Sequence, residues 1–282
     1  MEAGRLTTYT HDGLTFDVRD TGPQDGRVVV ALHGFPQTSA SWAPAAAQLA
    51  GAGRRVLAPD QRGYSPGARP ASVSAYAMPA LVGDVLALAD AAGAERVDLL
   101  GHDWGGAVAW ALAAARPDRV RTLIVASTPH PRALAAAMPH GQALRSWYMG
   151  AFQLPWLPER LLGHPRTGLR LLSAMGTPHP GQVRAFLSDP SAARGALAWY
   201  RAFFRGAAAS RASVEVPPVR VPTTYVWSDG DPALGRWAAE HTGDWVDADY
   251  RFVVLEGVSH WIPDERPVEL ARLALERMES VP

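Results

Sequence analysis

The 282-residue sequence contains no cysteine, which excludes disulfides, thiolate nucleophiles and every cysteine-based metal site. It contains no lysine either; all 27 basic residues are arginine, so no Schiff base can form on a side-chain amine. Net charge is also lacking, with 27 acidic residues against those 27 arginines. A balanced total points to neither nucleic acid nor an anionic membrane as a partner. The nine histidines lack the H-E-x-x-H spacing of a zinc site, and no metal is expected. No apolar run reaches the roughly 18 residues of a spanning helix, and the first ten residues show no basic start, apolar core or cleavage signal. A cytoplasmic protein is the expectation.

What the sequence does hold is organised around Val97 to Ala109, Val-Asp-Leu-Leu-Gly-His-Asp-Trp-Gly-Gly-Ala-Val-Ala. Leu99 and Leu100 close a short apolar run, and from Ala107 apolar residues recur at helical spacing as far as Arg116-Pro117. The turn between them is therefore strand to helix. Gly101, Gly105 and Gly106 surround Asp103 where side chains would collide with a crossing strand. This is the G-x-S-x-G nucleophile elbow with aspartate in place of serine. A serine must lose a proton to attack, whereas a carboxylate with a pKa near ~4 is already an anion. Aspartate is suited to displacing a leaving group from saturated carbon, giving an alkyl ester that water must then split.

Around the elbow, strand and helix signals alternate. Leu6 to Asp20 reads as two short strands about the His11-Asp12-Gly13 turn. Val28 to Leu32 and Arg55 to Ala58 are continuous apolar runs of the kind buried on both faces of a parallel sheet. Leu81 to Ala92 is helical, and Val120 to Ala126 is a further strand. Residues 129 to 222 hold 12 of the 24 prolines, with aromatic clusters and no buried-strand run. Strands resume at Thr223 to Trp227 and Arg251 to Leu255, and Pro267 to Met278 makes a closing helix. The pattern predicts an α/β fold with a mostly parallel sheet, helices on both faces and an inserted helical lid. Its expected parts are core 1–128, lid 129–217 and core 218–282.

An elbow nucleophile needs an acid and a histidine after it in the chain. Ser228-Asp229-Gly230-Asp231-Pro232 follows one late strand, and Glu256-Gly257-Val258-Ser259-His260-Trp261 follows the next. Both loops open on the elbow's edge of the sheet. His260 is then the base that activates water and Asp231 the acid that orients it, with Asp229 as the rival acid. The oxyanion hole is expected from the backbone N–H groups of Trp104 and of Phe35, in the His33-Gly34-Phe35-Pro36 loop after Leu32.

Taken together, His33-Gly34-Phe35-Pro36 with Trp42 downstream, Asp60-Gln61-Arg62-Gly63-Tyr64-Ser65, Gly101-His102-Asp103-Trp104-Gly105-Gly106 and His260-Trp261 resemble the epoxide hydrolases of the α/β-hydrolase fold. The resemblance spans nearly the whole chain. It implies a cofactor-free hydrolase that turns an epoxide into a vicinal diol through an ester on Asp103. Epoxide hydrolases of this kind carry two lid tyrosines that hydrogen-bond the epoxide oxygen, and Tyr148 and Tyr200 stand in matching segments. The chemistry fits, because ring opening leaves an alkoxide that a neutral phenol can protonate. Trp147, Phe152 and Trp199, with Trp156, Phe203 and Phe204, suggest an aromatic-lined pocket for a small apolar epoxide.

Two alternatives stay open. The aspartate branch also contains haloalkane dehalogenases, although many of those have Asn where Phe35 stands. Fluoroacetate dehalogenases have an arginine just after the nucleophile, which Trp104-Gly105-Gly106-Ala107 does not offer. The same fold also serves as a non-catalytic ligand-binding scaffold, usually with a triad member missing.

Overall fold

The computed structural model describes residues 4–209 and 217–281. Its frame is one eight-stranded sheet formed by β1 (Thr8–His11), β2 (Leu14–Thr21), β3 (Arg27–Leu32), β4 (Arg54–Pro59), β5 (Val97–His102), β6 (Val120–Ala126), β7 (Thr223–Ser228) and β8 (Tyr250–Leu255). They are ordered β1-β2-β4-β3-β5-β6-β7-β8. β2 runs antiparallel to β1 and β4, and every other pairing is parallel. The apolar runs decide which strands are central. β5 is buried at every position and β3 at its last four, whereas edge strand β1 alternates and β8 keeps only Leu255 fully buried.

Helices cover both faces. α1 (Ala43–Gly51) and the closing α13 (Pro267–Glu279) pack on one side with Val29, Ala31, Leu100 and Ile124. On the other side α2 (Met78–Ala91) and α3 (Trp104–Ala115) pack with Leu32, Leu99 and Leu123. α1, α2 and α13 each carry proline at the first or second helical position, where its missing N–H costs nothing.

Between β6 and β7 the chain leaves the sheet as a helical insert. It contains α4 (Pro131–Ala136), α5 (Gln142–Arg145), α6 (Trp147–Ala151), α7 (Leu157–Gly163), α8 (Thr167–Ala174), α9 (Pro180–Leu187) and α10 (Pro190–Ala209). Most are short because prolines restart the chain every few residues. Residues 210–216, the last part of the expected lid, lie outside the described residues. After β7 come α11 (Arg236–Glu240) and, beyond β8, α12 (Ile262–Glu265).

The strand order locates the functional edge. The chain crosses from β3 outward to β4 and returns to β5 on the other side of β3, so the sheet has its switch point between β3 and β5. Loops diverge there and leave a crevice at the carboxyl ends of the two strands.

Candidate active site

Asp103 stands at the end of β5 with φ 52° and ψ −122°, a conformation that side-chain-bearing residues rarely adopt. The crowding around it explains the flanking glycines. A Cβ on Gly101 would lie 2.6 Å from the Gly105 carbonyl oxygen, and one on Gly34 would run into the Asp103 side chain. Thr128 Oγ donates to the Asp103 carbonyl at 2.8 Å and steadies the turn.

The backbone N–H of Phe35 donates to Asp103 Oδ1 at 2.7 Å, and Oδ2 lies 3.6 Å from His260 Nε2. Burial by itself would raise the Asp103 carboxyl. The close approach and charge of His260, the nearby His102 and the Trp104 N–H outweigh it and hold the group below the ordinary carboxylate value. Asp103 is therefore an anion with one oxygen held by a backbone donor.

His260 is buried, and its Nδ1 meets Asp231 Oδ2 at 2.7 Å. Asp231 Oδ1 accepts from the N–H groups of Ala233 and Leu234 at 2.8 and 2.9 Å, so both carboxylate oxygens are engaged. Asp229, the rival acid, is exposed and accepts instead from Gly257 N–H at 2.8 Å. Burial opposes the charged imidazole, but the Asp231 and Asp103 carboxylates prevail and push the His260 pKa up to about 10.

Several residues not singled out from sequence position these groups. His102 Nε2–H and Ser127 Oγ both donate to the His260 carbonyl, at 2.9 and 2.8 Å. Burial, with the neighbouring His260 charge, lowers the His102 pKa to about 4 and keeps that ring neutral. His33 Nε2 accepts from Gln61 N–H at 3.1 Å, while the Gln61 amide donates to the His33 carbonyl. That latch fixes the loop carrying Phe35. The only advance signal for it was the pair of loop motifs containing His33 and Gln61.

A cavity of about 550 Å³ opens from Asp103 and Trp104 into the insert. Tyr148 and Tyr200 both line it, with ring centroids 6.2 Å apart. Burial and the Asp103 charge raise the pKa of each phenol, so both remain neutral and keep their protons. Neither hydroxyl donates to an acceptor among the described residues. Met149, Phe203, Phe204, Leu134 and Met138 supply apolar wall.

The four other aromatic positions expected at this wall stand elsewhere, Trp156 being exposed on the insert surface. Trp147 is 72% exposed on the outside of the insert, because the five-residue α6 turns its neighbours Tyr148 and Met149 inward. Trp199 is buried and donates its indole N–H to the Arg62 carbonyl at 2.8 Å, tying α10 to the core. Phe152 packs behind the wall, 4.9 Å from the Tyr200 ring and 5.4 Å from Phe35. Among the described residues no three His, Asp or Glu side chains are grouped to hold a metal ion. No described helix is long and apolar enough to cross a membrane.

The profile of the α/β hydrolase fold family matches residues 27–267. The AB hydrolase superfamily protein YfhM of Bacillus subtilis is 34% identical over 99% of this chain and 100% of its own length. Epoxide hydrolase A of Mycobacterium tuberculosis is 31% identical over 94% of both proteins. Among solved structures, epoxide hydrolase A from Mycobacterium thermoresistibile superposes with a TM-score of 0.82 at 27% identity, covering 98% of each chain. The chain belongs to the α/β-hydrolase-fold family, in its epoxide-hydrolase-like group, and is a hydrolase.

Proposed function

We propose that the chain hydrolyses an apolar epoxide to a vicinal diol by way of an ester on Asp103, beneath a lid formed by the helices between β6 and β7. The supporting observation is the carboxylate at the elbow. It is ionised, held by Phe35 N–H at 2.7 Å and faces a cavity with two neutral phenols. An Asp103 oxygen attacks an epoxide carbon and the C–O bond of the ring breaks. Tyr148 and Tyr200 hydrogen-bond the departing oxygen, and one of them gives it a proton. The product of this step is a hydroxyalkyl ester of Asp103 and a phenolate.

Charge then switches the role of His260. Before attack the imidazolium lies between two carboxylates, Asp103 and Asp231. Esterification removes the Asp103 charge and with it part of what holds the proton on the ring. That proton restores the phenol, and neutral His260 becomes a base. It takes a proton from water, whose oxygen attacks the ester carbonyl carbon. The developing oxyanion is met by the Phe35 and Trp104 N–H groups. Collapse breaks the acyl C–O bond, and the departing alkoxide takes the remaining proton of the attacking water and leaves as the diol, while His260 keeps the other proton. Asp103 regains a carboxylate that now carries one oxygen from water.

The test is to separate the two steps. His260→Gln removes the base and leaves the nucleophile, so incubation with an aryl epoxide is expected to raise the intact mass by one substrate. Peptide mapping should place the adduct on Asp103. An unmodified variant that still turns over epoxide would overturn the proposal. Halide release from 1-halohexanes in place of epoxide turnover would favour the dehalogenase reading.

A further inference from the structure

The zero net charge of the chain conceals a segregation. Residues 129–209 hold nine of the 27 arginines and two of the 27 acidic residues, leaving 18 arginines against 25 acids elsewhere. Both acids of this stretch are already paired, Glu159 with Arg201 and Asp189 with Arg69, each at 2.6 Å. Arg160, Arg166 and Arg170, on α7 and at the start of α8, are exposed and engage no carboxylate among the described residues. The Arg160 guanidinium lies instead 5.8 Å from the ring centroid of Trp156.

Exposed apolar side chains follow the same division. Of the thirteen large ones among the described residues, twelve lie in the lid and one, Val268, in the core. Trp156 is 62% exposed, and Leu161, Leu169 and Leu171 are interspersed with the three free arginines. Phe203 and Phe204 are exposed while also lining the cavity, so the cavity's apolar wall reaches the outside of the lid. Arg201, two residues before Phe203 on α10, donates to the Phe152 and Leu154 carbonyls and pairs with Glu159. One helix thus supports both the cavity rim and the segment that leads into α7.

An apolar surface this extensive needs a cover. A second copy presenting the same face would set an excess of arginine against an excess of arginine, which charge repulsion opposes. Anionic lipid headgroups complement it on both counts. Arginine seeks the phosphates, while tryptophan and leucine settle at the boundary between headgroups and acyl chains. We infer that the outer face of the lid docks on an anionic lipid surface through Arg160, Arg166, Arg170 and Trp156, bringing the cavity rim to the bilayer. An apolar substrate would then enter from the membrane in which it is dissolved.

Co-sedimentation of the full chain with phosphatidylglycerol-rich and with pure phosphatidylcholine vesicles tests this directly. Binding is expected on the anionic vesicles, weakening as salt is raised, and at least about tenfold weaker on the neutral ones. R160Q/R166Q/R170Q should lower partitioning on anionic vesicles roughly 100-fold, and W156S roughly 3- to 10-fold. Both variants should keep the parent's melting temperature, which separates lost docking from lost folding. Because lipid binding is the readout, a failure to hydrolyse epoxides would leave the result standing. Equal binding to both vesicle types would overturn the inference, as would a triple variant that binds like the parent. So would a concentration-dependent dimer, seen by sedimentation velocity, that W156S dissociates.

Discussion

Core and lid bring different physics to the same cavity. The core supplies Asp103, Asp231, His260 and the Phe35 and Trp104 N–H groups from the carboxyl ends of parallel strands, where backbone hydrogen bonds fix each loop. The lid supplies Tyr148 and Tyr200 from helices of very different length, five residues in α6 and twenty in α10. In the proposed mechanism, attack and ester hydrolysis rest on the sheet loops, and proton donation to the leaving oxygen on the helical insert. Asp103 apart, the division predicts that core substitutions act mainly on the second chemical step and lid substitutions on the first.

The largest effect is expected in the core. Asp231→Asn should slow ester hydrolysis roughly 1,000-fold or more, because the carboxylate that orients His260 and stabilises its charge is lost. Asp229→Asn should change it by less than about twofold, since that side chain only accepts from Gly257 N–H at an exposed turn. Single-turnover kinetics with quench and mass detection would separate the two, and the reverse order would move the acid to Asp229.

In the lid, Tyr148→Phe and Tyr200→Phe should each slow ester formation roughly 10- to 100-fold, and the double variant should be nearly inactive. Pre-steady-state burst rates measure this step. A double variant with a normal burst would show that the departing oxygen finds its proton elsewhere.

The third contrast concerns stability and its pH dependence. The folded-state pKa of His260 is raised to about 10 from an ordinary 6.5. The resulting stabilisation is complete below about pH 6.5 and is lost as pH rises towards 10. The melting-temperature gap between the parent and His260→Gln should accordingly be widest near pH 6 and narrow towards pH 10. A gap that widened with pH would mean that His260 is held neutral in the fold.

The smallest effect is set at the joint between the halves. Trp199→Phe keeps an aromatic ring but removes the hydrogen bond to the Arg62 carbonyl, at a cost of about 1 kcal/mol, equivalent to a fall of about 2–4 °C in melting temperature. Turnover within about threefold of the parent would agree with Trp199 acting as an anchor. A far larger loss of turnover would return it to the substrate wall.

The same contrast explains what could be read in advance. The elbow was legible because its glycines are forced by backbone crowding around one residue, a constraint visible in Gly101, Gly105 and Gly106. The sheet was legible because central parallel strands need continuous apolar runs. Asp231 and Asp229 could not be separated by type, since both follow β7; backbone geometry separates them, with Ala233 and Leu234 N–H turned onto Asp231. In the lid, one residue's step turns a side chain by about 100° around a helix, and α6 is too short to show periodicity. Both Trp147 and Tyr148 were therefore expected at the cavity, and only Tyr148 faces it. The charge total also hid a segregation, because it summed an arginine-rich insert with a remainder in which acids outnumber arginines.

Whether Asp103 attacks carbon is tested most directly by one turnover in heavy-oxygen water with enzyme in excess. Attack by Asp103 predicts label in the Asp103 peptide and an unlabelled first diol, because the diol takes the enzyme's own carboxylate oxygen. Labelled diol with an unlabelled Asp103 peptide would contradict it, making Asp103 a base for water and leaving no ester for His260 to resolve.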